Sequence, residues 1–207
     1  MNRDDECTVF VGTKQTPFLV PRDAVGKCDF LNNLVIFDEH RRSHLVIESK
    51  LHVASHAFEP IAEYLQRGEN GASLRCAYGP PRLNGPFAQQ ELDAAAVSMA
   101  KFYLTASKLQ MSALQTLAFE KLKALSPLTP PTLVVVARYL QLSGEWCNAP
   151  ESLGWVVTHV TKCYWELVTE CGADFSRLLR GHSAMSIAVF ESMAKNAQAG
   201  LDDRVGA

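Results

Sequence analysis

Apolar residues between Val97 and Leu125 recur at helical spacing in two runs with a sharp joint between them. In the first run Ala100, Tyr103 or Leu104, and Leu109 share a face while Lys101, Ser107 and Lys108 occupy others, which predicts an amphipathic helix with one buried side. After Met111, Ser112 and Gln115 form an S-x-x-Q capping box. Leu114, Leu117/Ala118, Leu122 and Leu125 then carry the stripe until Ser126-Pro127 stops it. Upstream, Ala57 to Gly68 predicts another helix, with Phe58, Ile61/Ala62 and Leu65 inward and Glu63 four residues before Arg67 outside. Pro60 fits its first turn, where backbone donors are unpaired anyway.

The amino-terminal pattern is β-rich. Thr8 to Gly12 and Pro17 to Val20 read as two short strands joined by a turn, and Leu45-Val46-Ile47 as a third. Between them, Arg22 to Val25 leads into a helix through Leu31, Leu34 and Val35 to Ile36. From Glu69 to Asp93, Gly71, Gly79-Pro80-Pro81 and Gly85-Pro86 interrupt the pattern and predict a long loop.

Beyond Ser126 the period is helical again. Thr129 is expected to cap a segment begun by Pro130-Pro131, with Leu133, Val136/Ala137 and Leu140 inward and an end near Gly144. Asn148-Ala149-Pro150 opens the longest stripe, Leu153, Val157, Val160, Tyr164, Leu167/Val168 and Cys171, closed by Gly172. A short helix over Phe175 to Arg180 and a last one over Ser183 to Ala199, with Ile187, Phe190 and Met193/Ala194 inward, complete the expectation. The segment from Leu201 to Ala207 is a polar tail, expected to fray.

Composition narrows the functional classes. At 207 residues the chain can bury roughly 70% of its unfolded surface, enough for one core and a smaller second one. Net charge is −2 and basic residues are scattered, the densest cluster being Arg41-Arg42 beside two histidines, so gripping a nucleic-acid backbone is not expected. The longest apolar run, Leu133 to Ala137, is far below the roughly 20 residues that span a bilayer. Met1 to Cys7 lacks the apolar core of a secretory signal and no Asn-x-Ser/Thr acceptor occurs, so an intracellular setting, cytoplasmic or nuclear, is expected. There the six cysteines, without a C-x-x-C pair, read as ordinary core or surface residues.

The string FYLTASKLQMSALQTLAFEKL resembles the helical pair that closes a BTB/POZ domain: an aromatic-rich turn, A-x-K-L-x-M, then L-x-x-x-A, here Tyr103, Ala106, Lys108, Leu109, Met111, Leu114 and Ala118. AFEPIAEYLQRG at Ala57 to Gly68 is similar to the helix that begins with an aromatic, continues through a tyrosine and ends in glycine. Pro21 stands where many members have His, as in fungal members, and Cys28-Asp29-Phe30-Leu31 occupies the place of a Ser-x-x-Phe. The resemblance implies an α+β chain. A BTB/POZ fold over 8–125, a small sheet covered by helices with a long loop at 69–93, would be followed by an all-α extension over 129–199.

No catalytic constellation is visible. His52 and His56 share a helical spacing, but Val53 stands where H-E-x-x-H needs Glu and no third ligand follows, so a histidine-based metal hydrolase is a remote alternative. His40 and His44, around Arg41-Arg42-Ser43, read as part of a solvated loop. Gly26-Lys27 has no preceding P-loop glycine, and neither a nucleophile elbow nor a cofactor motif occurs. The expectation is a non-enzymatic module without metal or cofactor.

Phe37-Asp38-Glu39, in the turn before the Leu45 strand, resembles the hydrophobic-x-Glu motif with which BTB adaptors engage a cullin. An exposed aromatic can fill a groove on a partner while the glutamate orients it, so Phe37 and Glu39 are the expected partner-binding residues. Family members commonly pair the helix after the opening hairpin across a twofold axis. Here Val25, Phe30, Leu31 and Leu34, more apolar surface than one buried stripe needs, are the expected dimer interface. The implied function is a homodimeric adaptor of a cullin-based ubiquitin ligase. Its unknown client would be read by the helices or by the 69–93 loop, or the chain would only assemble. A nuclear corepressor-type scaffold is the alternative, although no zinc finger or basic helix follows to read DNA.

Overall fold

The computed structural model describes residues 5–39, 42–47, 51, 53–67, 88–144 and 150–205. His40, His52, Cys76, Cys147, the Asn148-Ala149 start of the longest stripe and most of the expected 69–93 loop lie outside the described residues. The chain is α+β, a small sheet near the amino terminus followed by helices. It divides into two compact units, one of Met1–Gly85 with Lys101–Lys121, the other of Pro86–Ala100 with Leu122–Ala207. Among the described residues no helix is long and apolar enough to cross a membrane.

In the first unit, β1 (Glu6–Val11) and β2 (Thr16–Pro21) form the expected antiparallel hairpin. Its turn is closed by Gln15 N–H donating to the Gly12 carbonyl at 3.1 Å, and Gly12 adopts φ +74°, a left-handed conformation that glycine accepts without a Cβ penalty. The sheet has four strands where three were expected, in the order β2-β1-β4-β3. β4 (Ser43–Ile47) runs parallel to β1, and the additional strand β3 (Ile36–Phe37) pairs antiparallel with β4.

Register explains the core. Cys7, Val9 and Val11 lie beside Ser43, Leu45 and Ile47, and side chains alternate along a strand, so all six point to one face, where they are buried. That side also buries Phe58, Ile61, Ala62 and Leu65 of helix α3 (Ser55–Arg67), and the Phe18 and Phe58 rings meet edge to face at 5.2 Å. The expected Glu63–Arg67 pair forms on the outer side of α3 at 2.7 Å. The helix begins two residues earlier than expected. Pro60 therefore sits in its interior, where it removes one backbone donor, rather than in the first turn.

The predicted helix from Arg22 to Ile36 is two short ones, α1 (Arg22–Gly26) and α2 (Asp29–Asn33), split at Lys27-Cys28. Cys28 has an extended backbone (φ −111°, ψ 103°), which interrupts the helical hydrogen-bond ladder, and Ile36 leaves the helix to enter β3. Farther on, α4 (Ala88–Lys108) and α5 (Ser112–Ala124) are the two helices of the opening stripe. α4 starts well before Val97, because Gln89 to Ala96 is a run of good helix formers and the loop expectation there fails. Met111 rather than Ser112 precedes α5, and its carbonyl accepts the Gln115 N–H at 3.0 Å. Phe102, Leu109 and Leu114 are buried in the first unit, and the Thr105 hydroxyl donates to the Lys101 carbonyl.

The second unit contains α6 (Pro130–Leu142), α7 (Pro150–Lys162), α8 (Tyr164–Gly181) and α9 (Ser183–Val205), with α6 against α8 and α7 against α9. Thr129 precedes α6 as expected, yet its hydroxyl does not cap the helix and instead donates to Asp93 Oδ2 at 2.7 Å. The longest predicted stripe is broken at Cys163 (φ −120°, ψ 33°), and α8 kinks at Cys171 (φ −125°, ψ 16°). Of the expected inward residues on α7, Val157 and Val160 are buried together with Val156, whereas Leu153 is only half-buried. On α9 the expected inward residues Ile187 and Phe190 are exposed, and Met185 and Val189 occupy the core in their place. The helix carries two apolar stripes, and one periodicity cannot say which is buried.

Candidate partner-binding surface

Phe37 stands on the two-residue edge strand β3, its main chain paired with Ser43. Short edge strands present little free backbone to other sheets, so the exposed feature is the side chains. Phe37 is 59% exposed and Ile36 56% exposed. Phe37 therefore does not pack inward, and the sequence-expected residue is accessible to a partner. Glu39, two positions on, is also exposed.

Two contacts brace this corner. The Asp38 N–H donates to the Arg42 carbonyl at 3.1 Å, while the Asp38 carboxylate accepts from Arg42 N–H at 2.8 Å and from Arg42 Nε at 2.9 Å. Both ends of the turn that carries Glu39 are thus tied together, with a charge-assisted bond as part of the tie. On the other side, the guanidinium of Arg22 at the start of α1 lies over the Phe37 ring, 5.3 Å from its centroid.

Beside Phe37 the sheet carries polar groups of which Ser43 is satisfied. Ser43 is buried and its hydroxyl donates to the Glu6 carbonyl at 2.9 Å. The neighbouring Cys7 thiol is pushed above its ordinary value by burial, an effect that the Ser43 hydrogen bond and the Arg22 charge oppose. Arg22 Nη1 is buried and has no hydrogen-bond partner among the described residues.

The residues expected at a self-association surface divide in two. Val25 and Leu31 are fully buried inside the unit, which corrects their expected role, because a side chain that fills its own core cannot face a second chain. Phe30 and Leu34 are half-buried and retain accessible surface. Phe30 also lines a half-open cavity of about 620 Å³, shared with Lys27, Cys28, Tyr64, Gln110 and Met111. Its volume falls within the range usual for ligand and side-chain pockets. The Cys28 thiol, which lines the cavity, donates to the Leu109 carbonyl at 3.7 Å.

The sequence singled out Phe37 and Glu39, both of which are exposed, but not Arg22, Ile36 or the Asp38–Arg42 tie that surround them. The tie had a signal, an acid and an arginine four residues apart around a turn. Arg22 had none, since a cation far upstream in the chain reaches the ring only through the sheet. Among the described residues no group of three or more His, Cys, Asp or Glu side chains could hold a metal ion. No protein-family model, curated protein or solved structure matches this chain.

Proposed function

We propose that this chain is a protein–protein interaction module of the BTB/POZ type with a carboxy-terminal helical extension. In this reading it acts as a substrate adaptor, engaging the amino-terminal domain of a cullin through Phe37 and Glu39. The observation that carries the reading is the exposed Phe37 ring at the end of β3, flanked by the Arg22 guanidinium and by the turn that the Asp38–Arg42 pair ties. A rigid aromatic anchor beside a charged rim residue loses little conformational entropy on docking, which is what a binding hot spot requires. The motifs at Ala57 to Gly68 and Tyr103 to Ala118 support the family assignment. Self-association through the α1–α2 segment falls to Phe30 and Leu34, whose surfaces remain accessible.

Titration calorimetry with a purified cullin amino-terminal domain tests the adaptor reading. Phe37→Ala and Glu39→Ala are expected to weaken binding by at least roughly tenfold, the loss of more than about 1.4 kcal/mol. No binding by the unaltered chain, or equal binding by both variants, overturns it.

A further inference from the structure

Arg22 carries a positive charge for which the described residues supply no counterpart. Its guanidinium lies over the Phe37 ring, 5.3 Å from the centroid, and its Nη1 is buried without a hydrogen-bond partner. Among the described residues it forms no ion pair. Asp38, the acid next to Phe37, is bound to Arg42. Neither Asp23, which follows Arg22, nor Glu6, which the β1–β2 register sets opposite Pro21, pairs with it. Leaving a charge partly desolvated and unbalanced is unfavourable, and it persists here beside the most accessible aromatic of the sheet edge.

We infer that Arg22 is a third partner-binding residue of this surface, and that the partner presents a carboxylate to its guanidinium as the Phe37 ring docks. The inference rests on the adaptor reading and gives the cullin surface a chemistry. The groove that takes the ring has an acidic side chain at the border that meets the start of α1.

Desolvation and ordering decide for this contact. An ion pair between two fully hydrated side chains gains little, because both ions give up water and two long side chains lose freedom. Arg22 has undergone part of both losses on folding. It is half-buried, one nitrogen is already out of water, and its place over the Phe37 ring limits its motion. A carboxylate that meets it forms a charge-assisted bond, and the docked partner shields that bond from solvent. A neutral acceptor would leave the positive charge unbalanced inside the contact, and a basic one would repel it. Glu39 differs in being exposed, so it marks the rim while Arg22 stands against the anchor itself.

Titration calorimetry of the full chain and its Arg22→Met variant against a purified cullin amino-terminal domain tests this, with Asp→Asn and Glu→Gln variants of the cullin domain taken in turn. Arg22→Met is expected to weaken binding roughly tenfold. One carboxylate variant of the cullin domain is expected to cost about as much, and to add nothing further once Arg22 is replaced. Urea denaturation checks that Arg22→Met is folded, and Arg22→Gln serves the same cycle if it is not. Unchanged binding by the Arg22 variant overturns the inference. So does a cycle in which the loss from every cullin carboxylate adds in full to that of Arg22, because the arginine then only holds the ring. Both of these outcomes leave the adaptor reading standing, whereas a parent chain that binds no cullin overturns that reading and this inference with it.

Discussion

The guanidinium carbon of Arg22 lies 5.3 Å from the centroid of the Phe37 ring, while Nη1 of the same group is buried without a hydrogen-bond partner among the described residues. An exposed cation–π contact is worth about 0.5–1 kcal/mol, and an unmade buried hydrogen bond costs about 1–3 kcal/mol. The arginine thus adds little net stability, and its consequence is to hold the ring in place. In a double-mutant cycle of Arg22→Met and Phe37→Ala followed by urea denaturation, the coupling energy is expected to be about 0.5–1 kcal/mol, with Arg22→Met alone close to neutral. A loss of several kcal/mol in Arg22→Met would show that the guanidinium is a structural tie instead.

Asp93 holds the entry to α6. Its carboxylate accepts the Thr129 N–H at 3.2 Å and the Thr129 hydroxyl at 2.7 Å. Thr129→Val removes only the hydroxyl and should cost about 1 kcal/mol, whereas Asp93→Ala strips both bonds from Thr129 and the one from Gln89 and should cost about 2 kcal/mol. Chemical denaturation of the two variants checks the order, and Thr129→Val as the costlier change would contradict it.

Burial pushes the Cys7 thiol above its ordinary value, the largest of the influences on it, so the folded state favours the neutral form. The stability this contributes is fully present below the unfolded value, about pH 8.5, and declines as pH rises from there through the folded value. Unfolding free energy of the native protein should therefore fall more steeply above about pH 8.5 than that of Cys7→Ala, which lacks this titration. Parallel curves would refute the assignment. Alkylation of Cys7 in the folded protein should be slow at neutral pH for the same reason.

Gly154 lies in the interior of α7, and a Cβ built there meets no atom within 4 Å. Gly154→Ala is expected to raise stability by about 0.5–1 kcal/mol, because alanine restricts the unfolded chain and the folded site is open. A melting temperature that is unchanged or lowered would contradict the open site.

The elements were legible wherever one stripe dominated. Phe58, Ile61, Ala62 and Leu65 on α3, and Leu133, Val136, Ala137 and Leu140 on α6, recur at helical spacing, and each of these residues is buried. The β1–β2 hairpin was visible because Gly12 and the apolar runs on either side leave one reasonable turn. Legibility failed where local signals were balanced. Ile36-Phe37 is too short to show a period of two, so the helix expectation ran over it, and β3 exists only because β4 offers it partners.

At the candidate surface, the sequence carried the residue types of Phe37 and Glu39 and their position just before a strand. Whether Phe37 faces solvent was a matter of the strand register that places it opposite Ser43 at the sheet edge. Val25 and Leu31 show the reverse: apolar surplus in two short helices suggested an interface, and packing inside the first unit buried both side chains.

From its residues alone, this chain determines a β hairpin, a set of amphipathic helices and the turn chemistry between them, because backbone propensity and apolar period are local properties. Only the tertiary structure decides that Arg22 reaches Phe37, that Asp93 holds Thr129, and that α9 buries Met185 and Val189 while leaving Ile187 and Phe190 outside. Those choices rest on free-energy differences between surfaces far apart in sequence, and a helix with two apolar stripes buries the one that its neighbours complement.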